Sequence, residues 1–196
     1  MRDWRVRTFA GAHEAACPAI AALPGRRVLL FLGSSIGNYP DDDAIALLAA
    51  MRLGLRDDAV LVLGTDLKKD PRVLLPAYDD AQGVTAAFTT NILTRLNREF
   101  GCTFRPGRVP ARRGVERGGV EHRIFLEAQG PQRVAIGALG RDAVFADGER
   151  IHVETCAKYD AGRVWMAFWR GAGFVRAATF TDAEGRYAIQ LAGSRG

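Results

Sequence analysis

The stretch that decides the fold is residues 28–38, VLLFLGSSIGN, in which a continuous apolar run leads into a turn of small residues. An unbroken apolar run bounded by turn residues is typical of a strand buried on both faces of a parallel sheet. Gly33 and Gly37 permit backbone conformations that a side chain would prevent, and they let a ligand approach the chain closely. Because ligands bind at the carboxyl ends of strands in open parallel sheets, this turn is the first candidate site.

The residues that follow complete a strand–helix–strand pattern. Asp41–Asp43 begin a predicted helix, since carboxylates in the first turn are favoured by the helix dipole, and apolar residues at helical spacing continue it to Leu55. A second buried strand is predicted at residues 60–64, directly before Thr65 and Asp66. Two strands joined by a helix predict a parallel pair with a right-handed crossover, so the fold class is α/β.

The character of the chain changes after Asp66. An apolar stripe predicts a helix from Phe88 to Phe100, with Gly101 as its C-cap. Strand-like runs follow at residues 121–128, 133–139 and 152–156, then a helix at 161–172 and a terminal hairpin at 175–180 and 187–192. A helix followed by antiparallel strands, inside an α/β framework, predicts an inserted α+β lobe.

Composition excludes several classes of protein. The 196 residues are 48% hydrophobic and 25% charged, with a net charge of +5, as is ordinary for a soluble globular protein. We predict no membrane partner, because no apolar run has the length needed to span a bilayer. The three cysteines are unrelated in spacing and predict reduced thiols in a cytoplasmic protein. The three histidines lack ligand spacing, so no metal site is predicted.

Arginines are concentrated in one segment, at positions 105, 108, 112, 113 and 117. A nucleic-acid site would place such a patch beside aromatic side chains that stack on bases. No aromatic residue occurs within residues 105–120, so the segment is predicted to be a solvated basic loop and no nucleic-acid partner is expected.

Taken one at a time, the candidate motifs are weak. The turn at residues 33–38 lacks the GxGxxG spacing of a dinucleotide site and the Lys-Ser/Thr ending of a P-loop. Its serines lack the GxSxG context of a hydrolase nucleophile. Tyr78 precedes two aspartates in a plausible helix cap, and Glu154 lies in an alternating strand where a solvent-facing carboxylate is the ordinary expectation.

Taken together, the motifs resemble one family. The segments are GSSIGN at 33–38, LGTDLKKD at 63–70, AYDDAQGVTAAF at 77–88 and NRE at 97–99, and RIHVETCAKY at 150–159 extends the match. In this order they resemble the S-adenosylmethionine (SAM)-dependent L-histidine Nα-methyltransferases of ergothioneine biosynthesis.

The resemblance implies an α/β fold, a partial class I methyltransferase (Rossmann-like) sheet with an inserted α+β substrate-recognition lobe. Residues 1–67 and 159–196 would form the sheet, and residues 68–158 the lobe. SAM would be the cofactor, and the family's glycine-rich cofactor turn would precede residue 1, so most cofactor-binding residues are expected outside this chain. The implied reaction is methyl transfer to the α-amino group of L-histidine, towards N,N,N-trimethylhistidine (hercynine).

The resemblance also implies a substrate-binding set. Asn38 and Tyr78 would hold the amino and carboxylate groups of the substrate, with Gly33 in the same set, and Glu154 would bind the imidazole ring. Cys156 stands where the family has a serine that also contacts the imidazole. A buried acceptor that selects an N–H group rejects analogues without one, because the acceptor is then left unpaired.

Two alternatives stay open at this point. A thiol is a poor hydrogen-bonding group, so Cys156 leaves room for a methyltransferase with another amino-acid substrate. A chain that keeps the substrate lobe without the cofactor strands is alternatively an inactive or binding remnant. The oligomeric state is not predicted.

Overall fold

A computed structural model describes residues 6–53, 59–78, 80–116, 121–160 and 169–194. The chain divides into two compact units. The first unit is Met1–Leu67 with Tyr159–Gly196, and the second is Lys68–Lys158. The role of the second unit in substrate recognition stays a prediction.

The elements follow in chain order. They are α1 (Cys17–Ala21), β1 (Val28–Phe31), α2 (Asp41–Leu53), β2 (Val60–Asp66), α3 (Pro71–Tyr78), α4 (Val84–Phe100), β3 (Ala111–Glu116), β4 (Glu121–Glu127), β5 (Gln132–Ile136), β6 (Arg141–Phe145), β7 (Arg150–Ala157), α5 (Arg170–Ala172), β8 (Phe174–Thr181) and β9 (Tyr187–Ser194). Single turns of 3₁₀ helix occur at His13–Ala16, Ser35–Asn38, Pro106–Arg108 and Gly137–Leu139. Among the helices of the described residues, none is both long enough and apolar enough to span a membrane.

The first unit is built on a four-stranded sheet in the order β1-β2-β9-β8. β1 and β2 are parallel, with Val28 beside Val60, and β9 is antiparallel to both of its neighbours. The predicted parallel pair and the terminal hairpin are therefore confirmed. The fold class is α/β, as predicted, with parallel and antiparallel strands in one sheet.

Apolar periodicity explains why these elements form. Leu61 and Leu63 on β2 are at most 1% exposed, as expected for alternate residues on one buried face. The buried residues of α2 recur at helical spacing; they are Ala44, Leu47, Leu48 and Met51. β1 has one neighbouring strand within the described residues, and its Val28 and Leu30 are 59% and 61% exposed.

A series of buried polar side chains links β2, β9 and Trp169, the residue before α5. The Trp169 indole N–H donates to Gln190 Oε1 at 3.3 Å, and Gln190 Nε2 donates to Thr65 Oγ1 at 3.0 Å. All three residues are at most 2% exposed. Because a buried polar group without a partner is costly, these hydrogen bonds help to fix the register of β9 against β2.

The second unit combines α3 and α4 with the antiparallel sheet β3-β4-β7 and the hairpin β5-β6. Leu93 of α4 forms a core cluster with Val109 and Leu126. Gly101 has φ +62° and ends α4 in the left-handed conformation, as predicted.

Some sequence predictions for this unit are wrong. The predicted basic loop is in part a strand, since Ala111–Glu116 pairs with β4 and Arg112 forms an ion pair with Glu127. The predicted strand at 133–139 ends at Ile136 and continues as a 3₁₀ turn. The helix α3 and the strand β6 were not predicted. In the first unit, most of the helix predicted at 161–172 lies outside the described residues.

Candidate functional site

The turn after β1 is left-handed at two successive residues. Gly33 has φ +75° and Ser34 has φ +57°, which is the one positive value for a non-glycine residue in the described chain. The Ser34 hydroxyl accepts a hydrogen bond from the Asp66 N–H at 2.9 Å. This bond ties the turn to the end of β2. It also offsets part of the free-energy cost of the left-handed conformation, which is unfavourable for a residue that has a side chain.

Tyr187 supports the same turn from β9. Its hydroxyl accepts a hydrogen bond from the Gly33 N–H at 3.1 Å. A Cβ on Gly64 would overlap that hydroxyl, so the glycine is what lets the tyrosine reach the turn. A glycine is therefore required at position 64 for packing, which its sequence context did not indicate.

Two predicted substrate-binding residues lie in this turn. Gly33 begins it, and Asn38 ends the 3₁₀ helix that follows. Both residues are exposed, whereas Ile36 between them is 2% exposed and anchors the segment. Gly33 and Asn38 are therefore exposed to solvent, on a backbone segment that the buried Ile36 side chain anchors.

The other three predicted residues form a cluster in the second unit. Tyr78 is the last residue of α3, and Glu154 and Cys156 lie two apart on β7, so they share one face of the strand. The Cys156 thiol donates to Glu154 Oε1 at 3.5 Å, and the side chains of Cys156 and Tyr78 are also in hydrogen-bonding contact. Tyr78, Cys156 and Glu154 are thus brought together.

Two residues that the sequence did not single out belong to this cluster. Lys158 Nζ donates to the Tyr78 hydroxyl at 2.6 Å, and Lys158 is 3% exposed. The His122 ring is 6% exposed and stacks on Tyr78, with centroids 5.6 Å apart and an interplanar angle of 9°. Lys158 carried a usable signal, because it continues the period-two spacing of Glu154 and Cys156. His122 carried none.

Burial shapes the acidities in the cluster. Desolvation raises the pKa of Cys156 to about 11, and the Glu154 carboxylate beside it acts in the same direction. The thiol is therefore protonated at neutral pH and is a hydrogen-bond donor, not a nucleophile. Desolvation also raises the pKa of Tyr78, although the hydrogen bond from Lys158 opposes it.

The hydrogen bonds of the cluster have one possible direction. An ammonium only donates and a carboxylate only accepts. Lys158 therefore donates to Tyr78, Tyr78 to Cys156, and Cys156 to Glu154. Such an arrangement offers a bound molecule the carboxylate acceptor of Glu154 and, where the molecule replaces the weak thiol acceptor, the hydroxyl donor of Tyr78.

Other motif residues have structural roles. Asn97 receives the Phe104 N–H and donates to the Phe104 carbonyl, both at 2.8 Å, and so closes the loop after α4. Asp80 accepts the N–H groups of Val84 and Thr85 at 2.8 Å and caps that helix. These hydrogen bonds hold the pKa of Asp80 at about 2. Asp79 lies outside the described residues.

An open groove of 680 Å³ occurs elsewhere in the first unit, lined by residues 11–14, Tyr39 and four residues of α2. Among these lining residues none belongs to the predicted substrate-binding set. Within the described part of the chain, no group of three or more His, Cys, Asp or Glu side chains has the proximity to hold a metal ion.

Comparisons with known proteins bear on the whole chain. Residues 2–194 match the family described as histidine-specific, SAM-dependent methyltransferases. A histidine N-alpha-methyltransferase from Mycobacterium tuberculosis is 40% identical over 171 residues, which are 86% of this chain and 52% of that protein. The corresponding protein from Mycolicibacterium smegmatis is 37% identical over the same shares.

The chain thus spans about half the length of the curated relatives it matches, at 52% of each. Among solved structures, a SAM-dependent methyltransferase from Clostridium acetobutylicum aligns with 90% of this chain and 63% of its own, at 10% identity and a TM-score of 0.44.

Proposed function

Because the chain belongs to the family of SAM-dependent, histidine-specific methyltransferases, we propose that it supplies the amino-acid-binding part of an enzyme that methylates the α-amino group of L-histidine. The product series leads towards N,N,N-trimethylhistidine. The observation that carries the proposal is the contact cluster of Tyr78, Cys156 and Glu154, in which a hydroxyl donor and a carboxylate acceptor occur together.

The reaction depends mainly on how the reacting amine is positioned. Bound SAM would supply a methyl group to an uncharged amine by in-line displacement: an N–C bond would form as the C–S bond breaks, S-adenosylhomocysteine would leave, and the nitrogen would lose a proton after the first and second transfers but not after the third. Holding the reacting atoms in this geometry can lower the barrier by roughly 7–11 kcal/mol in favourable cases. This displacement needs an oriented amine, so side chains that fix the two ends of the amino acid are sufficient machinery on the substrate side.

Each predicted residue has a role that suits its chemistry. Glu154 accepts the imidazole N–H, and its neighbour Cys156 supplies a weak donor to the same carboxylate. The Tyr78 hydroxyl holds a polar group of the amino-acid backbone. Asn38 offers both an amide acceptor for the amine and an amide donor for the carboxylate, and Gly33 lies at the start of its turn.

The cofactor itself fits this chain only in part. SAM supplies the methyl group, but the Gly33 N–H is already donated to Tyr187, and the Ser34 hydroxyl is engaged by Asp66. The described residues therefore leave little of this turn to hold a cofactor. We assign SAM contacts to no residue of the chain, and we place its described side chains on the substrate side.

A second candidate is a related methyltransferase that takes another amino acid. Cys156 favours it, since a thiol is a weaker hydrogen-bonding partner for an imidazole than a hydroxyl. A panel of amino acids with labelled SAM separates the two candidates, because the preferred substrate gives the fastest transfer.

Isothermal titration calorimetry of the 196-residue chain with L-histidine tests the proposal, together with a transfer assay using methyl-labelled SAM. We expect Asn38→Ala and Glu154→Gln each to weaken histidine binding by about tenfold or more, the size of one hydrogen bond to a charged group. Asn91→Ala and Glu99→Gln are matched controls on the outer surface of α4 and are expected to change nothing.

The outcomes are distinct. If histidine binds and Asn38→Ala and Glu154→Gln leave both affinity and rate untouched, the site assignment is wrong. If histidine binds but this chain alone transfers no methyl group, the chain is an amino-acid-binding unit, as proposed. We also propose a cytoplasmic location, because all three cysteines are free thiols.

A further inference from the structure

Lys158 is the one buried ammonium in direct contact with the predicted substrate-binding residues of the described chain. It is 3% exposed, and its Nζ lies 2.6 Å from the Tyr78 oxygen and 4.9 Å from the centroid of the Tyr78 ring. A nitrogen this much closer to the oxygen than to the ring lies beyond the hydroxyl, on the side of its lone pairs. The contact is therefore primarily a hydrogen bond.

This hydrogen bond fixes what Tyr78 can do. A phenol has one O–H donor and accepts through the same oxygen. Because the ammonium donates to that oxygen, the Tyr78 O–H has to point away from Lys158, where the neighbouring Cys156 side chain is available to accept it. His122, stacked on the ring with centroids 5.6 Å apart, helps to fix the plane of the ring, near which conjugation keeps the phenolic O–H.

We propose that Lys158 is a positioning residue that holds the Tyr78 hydroxyl as a hydrogen-bond donor, so that Tyr78 binds the α-carboxylate of the amino-acid substrate and not its amine. The inference rests on the proposed function and adds a residue to it. A thiol sulfur is a weak acceptor, so the Tyr78 O–H can exchange Cys156 for a carboxylate at little cost. The amine is then left to the other contacts of the site.

Paired ligands and variants test this role in the 196-residue chain. L-Histidine and histamine share the imidazole and the amine but differ in the carboxylate. We expect the wild-type chain to bind histidine at least about tenfold more tightly than histamine, the size of one charge-assisted hydrogen bond. Lys158→Met is expected to remove most of that ratio while histamine affinity changes less than about twofold, and Lys158→Arg, which keeps the donor, is expected to restore it.

A double-mutant cycle separates positioning from direct contact. If Lys158 acts through Tyr78, Lys158→Met adds no further loss of histidine affinity to Tyr78→Phe. A further loss in the double variant would mean that the ammonium binds the carboxylate itself, which overturns the proposal. An equal loss of histidine and histamine affinity in Lys158→Met also overturns it, because that is the result of a merely structural role.

A measurement without ligand guards against variants that fail for other reasons. Ultraviolet titration of phenolate, with Tyr78→Phe as the reference, is expected to show a higher pKa for Tyr78 in Lys158→Met than in wild type, and an unchanged value contradicts the inference. Failure of the proposed function gives a different result, since wild type then binds histidine no better than leucine, and the substrate role of Lys158 falls with it.

Discussion

Replacing Cys156 by serine is expected to strengthen the binding of L-histidine. The thiol lies 3.5 Å from Glu154 Oε1 and is buried, with 9% of the residue exposed. The resemblance implies that residue 156 also contacts the imidazole of the substrate, where a thiol is a weak partner and a hydroxyl hydrogen bond contributes about 0.5–1.5 kcal/mol net. Allowing for the shorter reach of serine, we expect a gain of about 1 kcal/mol, which corresponds to about fivefold in the dissociation constant.

The size of this gain depends on two structural conditions. A buried hydroxyl must be paired, and Cys156 has both the Glu154 acceptor and the Tyr78 hydroxyl as neighbours. The wild-type thiol must also be neutral during the measurement. Since burial holds its pKa at about 11, the thiol is protonated between pH 7 and pH 9, and the ratio of affinities should be constant over that range.

Calorimetric titration of histidine into wild type, Cys156→Ser and Cys156→Ala measures the effect. Cys102→Ser is the matched control, because it makes the same chemical change at a cysteine in another part of the second unit. The expected order of affinity is serine, then cysteine, then alanine. If serine binds histidine no better than alanine does, the side chain at this position does not interact with the substrate and the reasoning fails.

Three further changes test the supports of the two units. Gly64→Ala is expected to cost about 1–3 kcal/mol in urea unfolding because its Cβ overlaps the Tyr187 hydroxyl, and adding Tyr187→Phe should recover part of the loss. Asn97→Ala is expected to cost about 1–3 kcal/mol, since it removes both hydrogen bonds to Phe104; an unchanged thermal transition would contradict this. Asp80→Ala is expected to destabilise the chain above about pH 4, the unfolded pKa. That deficit should vanish as the pH falls through about 2, where the wild-type carboxylate is protonated, and a deficit independent of pH would refute the capping role.

The frame of the first unit follows from the sequence because its elements are self-sufficient patterns. β1 and the first four residues of β2 are uninterrupted apolar runs, and α2 buries residues at helical spacing, so each element is visible without its neighbours. The terminal hairpin is visible for the same reason. These patterns do not reveal the contact between the turn and β9, in which Tyr187 reaches Gly33 from 154 positions along the chain.

Elements that depend on a partner were missed. β3 contains arginines where a strand ordinarily has apolar residues, and it is a strand because β4 pairs with it along six residues. α3 contains Pro71 and Pro76, which read as breakers, yet Pro71 occupies the first helical position and Asp70 accepts the Arg72 N–H. Tertiary pairing and capping decide both cases, and local pattern does not.

The cluster of Tyr78, Glu154 and Cys156 shows the same difference between what the sequence indicates and what tertiary contacts decide. Family resemblance supplies Tyr78, Glu154 and Cys156 as separate positions, but it does not supply their mutual contacts. Asn97 lies in a motif of the same resemblance and yet binds the backbone of Phe104, so membership of a motif does not by itself indicate a ligand contact.

The direction of the hydrogen bonds explains what an exchange of serine and cysteine can and cannot change. The series of hydrogen bonds begins at Lys158, which only donates, and ends at Glu154, which only accepts. The direction of every bond between them is therefore set by these two ends. Residue 156 is an inner member, and either a thiol or a hydroxyl can accept from Tyr78 and donate to Glu154. Cysteine therefore weakens a link without reversing it, and the site keeps an acceptor for an imidazole N–H. On this reasoning Cys156 lowers the affinity for histidine but does not by itself direct the site to a different class of substrate.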